Sequence, residues 1–173
     1  LTLLQTGKRS PIPVVLMDRP GSSYWSGWMQ FMRKHLSSAG YIGPNDFSFF
    51  HHARDVDEAV TVINGFYRRF HSLRFVRGKT VIRMASGLPE LQLDKLRQEF
   101  ADIIAEGGGM RLSEALRQEC DEPDLASLPR LVVDFNKRDF ARLRQFIDAI
   151  NQAPPFPNIY DRDAATSPPG DKA

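Results

Sequence analysis

The sequence predicts an α/β fold, the rear half of a parallel sheet followed by a small α+β module. Three observations carry that reading. Residues 11–70 alternate strand-like and helix-like patterns at the pitch of a parallel sheet, residues 79–151 read β-α-β-β-α, and the charge changes sign between the two stretches. Residues 1–83 carry a net charge of +7 and residues 84–173 a net charge of −5. A split of this kind suggests two modules with different surfaces, or a basic face that serves an anionic ligand.

Leu1 to Gln5 reads as part of a helix that Gly7 ends. Because it reads like the middle of a helix and begins with Leu, the chain is expected to be a piece of a longer protein. Pro11-Ile-Pro-Val-Val-Leu-Met17 is a continuous apolar run opened by prolines, as in a strand buried on both faces. Asp18-Arg-Pro-Gly21 is a turn, and Ser22 or Ser23 caps the helix that follows. Trp25, Trp28, Met29, Met32 and Leu36 fall on one face of that helix. Phe47 to Phe50 is the expected second strand. Asp55 opens a helix in which Val56, Ala59, Val60, Ile63 and Phe66 or Tyr67 share a face.

His71 to Gly78 reads as a basic connector between the modules, 1–70 and 79–151. Lys79 to Met84 is a strand. Pro89 suits a first helical turn, and Leu93, Leu96, Phe100, Ile103 and Ile104 form the stripe of a helix ended by Gly107-Gly-Gly109. Met110 to Leu112 is a short strand, Glu119 to Asp124 an acidic loop, and Leu131 to Phe135 a strand. Phe140, Leu143, Ile147 and Ile150 mark the last helix. Residues 152–173, rich in proline and charge, read as a disordered tail.

Composition narrows the function classes. With 42% hydrophobic residues the chain can build a core, and a chain this long buries about 70% of its unfolded surface. No run of about 18 apolar residues marks a membrane span, and no signal peptide is visible. A single cysteine, Cys120, excludes an intramolecular disulfide and a multi-cysteine metal site, which makes a reducing cytoplasm the expected compartment. Carboxylates on both sides of Cys120 argue against a nucleophile. Adjacent His51 and His52 on a strand point to opposite faces and cannot chelate one ion from there, so no metal is expected. The chain has no GxGxxG, GxxxxGK[ST], HExxH or GxSxG signature. The aromatic and basic run Phe66 to Arg77 mixes the residue types of single-strand nucleic-acid binders. Phe66 and Phe70 read better as core, so nucleic acid is not the expected partner.

Leu1-Thr-Leu-Leu-Gln-Thr-Gly-Lys8, Pro11 to Met17, Tyr24-Trp25 and Gly40-Tyr-Ile42 resemble the segment that follows the PGGxGTxxE motif in the LOG ("lonely guy") family, formerly labelled possible lysine decarboxylases. Phe66 to Val76, Val81-Ile-Arg83 and Leu128 to Asn136 resemble its longer bacterial branch, and the likeness spans about residues 1–151. The resemblance implies a Rossmann-like domain and a nucleotide 5′-monophosphate phosphoribohydrolase. Such an enzyme cleaves the N-glycosidic bond of AMP or cytokinin riboside monophosphates to base and ribose 5-phosphate. It implies no cofactor, and a homodimer or higher homo-oligomer. The PGGxGTxxE motif is not in this sequence, so no catalytic residue is expected here and the chain alone is expected to be inactive. Gln5, Thr6 and Lys8 are expected to border the nucleoside 5′-monophosphate, and Trp25 and Trp28 to help form the dimer interface. The alternative is a non-catalytic module for small-ligand binding or oligomerisation.

Overall fold

The computed structural model describes residues 1–153. It is a mixed α/β chain with a two-stranded parallel sheet and a four-stranded antiparallel sheet. In chain order the elements are α1 (Thr2–Gln5), β1 (Val14–Met17), α2 (Tyr24–Phe31), β2 (Phe50–Ala53), α3 (Val56–Phe66), β3 (Phe70–Val76), β4 (Lys79–Met84), α4 (Glu90–Glu99), β5 (Met110–Ser113), β6 (Arg130–Val133) and α5 (Phe140–Gln152). The tail expected over 152–173 lies outside the described residues, apart from Gln152, which ends α5, and Ala153.

Strands β1 and β2 run parallel, with Val14 beside Phe50 and Met17 beside Ala53, and α2 lies between them in sequence. Parallel neighbours need such a crossover. Helix α2 widens after Phe31 into a π-helical stretch over Met32–Ser37. The second strand begins later than expected. Residues Pro44–Phe49 form a 3₁₀ turn, opened by proline and with the Asp46 carboxylate accepting the Gly43 N–H, and only Phe50 enters the sheet. Helix α3 starts as read, with the Asp55 side chain accepting the Glu58 N–H.

The expected basic connector is corrected. Residues 70–76 form β3, which pairs with β4 in a hairpin whose turn is Arg77-Gly78. Both turn residues have positive φ, 46° and 85°, the geometry of the type I′ turn that matches strand twist. Arginine is an unusual residue there, which hid the hairpin from the pattern. The second sheet therefore has the order β3-β4-β6-β5, and its chain order is β-β-α-β-β-α rather than β-α-β-β-α. Helix α4 also stops earlier than the glycines suggested, at Glu99, followed by a 3₁₀ turn over Ala101–Ile103.

Helices α4 and α5 cover one face of this sheet. Ile82, Met84, Leu131 and Val133 from the strands meet Leu93, Leu96, Phe100, Leu143, Phe146, Ile147 and Ile150 from the helical side. Each fully buried aliphatic or aromatic side chain there contributes about 1.5–3 kcal/mol. Helix α5 also reaches the first half of the chain, where Ala141 packs with Leu4 and Phe49. The apolar face expected on α3 divides. Phe66 is buried, whereas Val56, Val60, Ile63 and Tyr67 stand on the surface.

Candidate functional site

Ligands of open parallel sheets bind outside the carboxyl ends of the strands. In this chain that position is held by Asp18, the residue after β1, and His52, the third residue of β2. His52 Nε2 lies 3.0 Å from Asp18 Oδ2. The same carboxylate accepts the Trp25 N–H at 3.0 Å, while the Ser22 and Ser26 hydroxyls each stand 3.4 Å from it. The turn 18–21 makes this possible, since it folds back so that Asp18 meets the first turn of α2.

The electrostatics follow from those contacts. The Trp25 N–H, opposed by partial desolvation and helped by His52 and Ser26, holds the Asp18 carboxyl below its ordinary value. The start of α2 is an anion site by geometry, and the protein's own Asp18 fills it. Ser22 Oγ accepts the neighbouring Tyr24 N–H at 3.3 Å. The arrangement presents an ionised carboxylate, an imidazole and two hydroxyls side by side, a set suited to receiving sugar hydroxyls or placing a water.

His51 points the other way, as strand alternation requires. Its Nε2 is 2.9 Å from Glu58 Oε1, and Glu58 Oε2 accepts the N–H and the Nε–H of Arg54. The Arg54 backbone N–H and guanidinium, with His51, lower the Glu58 carboxyl to about 2. His51 also lines a cleft of about 420 Å³ at the starts of β1 and β2, with Arg68, Arg144 and Asp148. Arg144 is tied there to Asp148 at 3.0 Å and lies 4.5 Å over the Phe66 ring.

The residues expected to border a nucleotide are placed elsewhere. The Gln5 amide donates to Asp46 at 2.5 Å, in the turn that leads into β2. The Thr6 hydroxyl donates to the Thr2 carbonyl at 2.7 Å, a bond within the end of α1. Lys8 is exposed. Among the described residues no hydrogen bond or ion pair joins these three to each other or to Asp18 and His52. Trp25 and Trp28 are half-buried and pack edge to face at 5.8 Å, and Trp28 meets Phe50 of β2 at 5.3 Å. Among the described residues no group of three or more His, Cys, Asp or Glu side chains is arranged to hold a metal ion, and no helix is long and apolar enough to cross a membrane.

No family model, curated protein or solved structure matches this chain. The candidate site therefore rests on its own geometry. Sequence reasoning passed over Asp18, although its place directly after an apolar strand was a usable signal. The pairing with His52, 34 residues away, is visible only in three dimensions.

Proposed function

We propose that this polypeptide takes part in hydrolysing the N-glycosidic bond of a nucleoside 5′-monophosphate, giving free base and ribose 5-phosphate. The observation that carries the reading is the Asp18–His52 pair at the carboxyl ends of two adjacent parallel strands. It is supported by the order of sequence strings that resemble the LOG family. Cleavage of the glycosidic bond builds positive charge on the ribose, which nearby carboxylates stabilise when they are fixed in advance. Asp18 is fixed by its bonds to Trp25, Ser22 and Ser26 and forms the sugar-facing wall. The N–H groups that open α2 are already engaged and do not hold the phosphate. By the resemblance that role falls to a glycine-rich loop of the PGGxGTxxE kind, which this sequence does not contain. The reaction needs no cofactor, and the expected setting is the cytoplasm.

The test is to read the coding sequence in frame ahead of the Leu1 codon and to assay the polypeptide it encodes for base release from AMP. An upstream PGGxGTxxE motif with base release, reduced about a hundredfold in kcat/KM by Asp18→Ala, supports the reading. No base release from any nucleoside monophosphate overturns it. A second reading, a non-catalytic anion-binding module, is favoured by the cleft with Arg68 and Arg144. Thermal stabilisation by ribose 5-phosphate or inorganic phosphate that survives Asp18→Ala, without base release, selects it.

A further inference from the structure

The cleft at the starts of β1 and β2 lies at the opposite end of the parallel strands from Asp18 and His52. Helices α3 and α5 flank it, so both halves of the chain line it, and about 420 Å³ is the volume of a small-molecule site. Val14, Phe50 and Val62 give it an apolar lining, and Arg68, Arg144 and Asp148 give it charge. Two of its residues point to a ligand.

Arg68 is the first. Its Nη2 donates to the Ala153 carbonyl at 3.0 Å, which holds the guanidinium at the cleft, but it takes part in no ion pair among the described residues. Arg144, by contrast, has an 8% exposed side chain tied to Asp148 at 3.0 Å and to the Ser48 carbonyl at 3.3 Å. Glu58 beside them is matched by Arg54. Two guanidinium groups against one carboxylate leave one positive charge, which a single negative charge balances. Burial pushes the Asp148 carboxyl up, so the place is poorly hydrated and a new charge pair there is stronger than on the open surface. Gly65 is the second. It lies within α3 with a φ that is not positive, and a Cβ on it would meet nothing within 4 Å. Glycine weakens a helix relative to alanine, and here neither the backbone nor a neighbour requires it. Its missing side chain leaves open space along the cleft.

From these residues we infer that the cleft binds a small monocarboxylate with an apolar body, the carboxylate on Arg68 and the body along Gly65, Val62 and Phe50. A guanidinium offers parallel N–H groups that match a planar carboxylate. A bare inorganic anion would leave the apolar lining unfilled. Such a site rests on the anion-binding reading of this cleft and narrows it, and it stands whether or not the chain cleaves nucleotides.

NMR titration of the isotope-labelled chain with phenylacetate at neutral pH tests this. Saturable shifts of the Gly65, Arg68 and Asn151 amides are expected, with a Kd below about 1 mM. Neutral phenylacetamide, which lacks the charge, and acetate, which lacks the body, should each bind at least about tenfold more weakly. Gly65→Leu should fill the cleft and abolish binding with the circular dichroism unchanged. Arg68→Gln should weaken phenylacetate about tenfold and leave the amide as it was. Should Gly65→Leu fail to fold, the exposed Arg68 position decides. No shifts up to about 10 mM, or equal binding of acid and amide, overturns the inference, as does acid binding that survives Arg68→Gln unchanged. If inorganic phosphate or ribose 5-phosphate moves these amides and phenylacetate does not, the carboxylate site is overturned and the broader anion-binding reading stays. Silence from all of them removes both.

Discussion

Glu119 and Arg130 are joined in the interior, with Arg130 Nε 3.2 Å from Glu119 Oε2 and side chains 0% and 1% exposed. The other carboxylate oxygen takes Arg83 at 2.7 Å. Arg83 and Arg130 are direct cross-strand neighbours on β4 and β6, so two like charges stand side by side with one carboxylate between them. The Leu116 N–H and the Leu125 and Leu128 carbonyls complete the set. Further out, Glu122 bridges Arg83 and Arg74, and Arg74 grips Asp121 through both of its terminal nitrogens. The acidic loop is thus fastened to the sheet through a buried glutamate.

Replacing Glu119 by Gln leaves buried Arg130 without a carboxylate and Arg83 with Glu122 alone. The expected loss is about 3–5 kcal/mol, the range for breaking a buried pair. Urea unfolding measures it, with the half-exposed Glu122→Gln as a milder comparison. Burial opposes ionisation of Glu119, yet the Leu116 N–H, Arg83 and Arg130 outweigh it and hold the carboxyl below its ordinary value. A depressed folded pKa gives stability that is full above the unfolded value of about 4.3 and is lost as pH falls through the folded one. The stability of the wild type should therefore fall more steeply below that pH than that of the variant. Parallel curves would count against the network.

Asp148 behaves in the opposite sense. Burial pushes its carboxyl up against the pull of Arg144. A carboxyl raised in the folded state costs stability once pH exceeds its unfolded value of about 3.9. Asp148→Asn, which keeps an acceptor for Arg144, should raise Tm at pH 7, and the gain should vanish near pH 3. An unchanged or lowered Tm at neutral pH would show that the ion pair outweighs burial.

Gly7 has φ of +66°, and a Cβ there would lie 2.1 Å from the Phe140 ring. Gly7→Ala combines left-handed strain with overpacking and should cost about 2–4 kcal/mol. Gly40, at φ of +76° with open space around it, isolates the strain alone, so Gly40→Ala should cost about 1 kcal/mol. Equal losses at the two sites in chemical denaturation would refute the close packing of Gly7 on α5.

Much of the fold was legible because local patterns and tertiary packing agreed. The Asp55 cap and the stripes of α4 and α5 each form an element where the sequence places one. The run Pro11–Met17 yields a strand only over Val14–Met17, half-buried with Met17 exposed rather than buried on both faces, because β1 has β2 as its one partner among the described residues. The hairpin β3–β4 was not legible, because an Arg-Gly turn gives a weak signal and the charged alternation of β3 resembles a linker. At the candidate site, Asp18 was marked by its position after a strand, whereas the roles expected of Gln5, Thr6 and Lys8 find no contact with it in the fold.

The sequence by itself determined most of the helical and extended segments, β3 and the turn before β2 excepted, because spacing and caps act within a few residues. Only the tertiary structure decided which way their faces turn. The same apolar spacing buries Phe66 and exposes Val60, according to where α5 happens to pack. The same acidic run holds an exposed Asp121 and a buried Glu119, according to which arginines the sheet brings beneath it. Burial and charge pairing are fixed by residues far apart in the chain, and no local pattern encodes those distances.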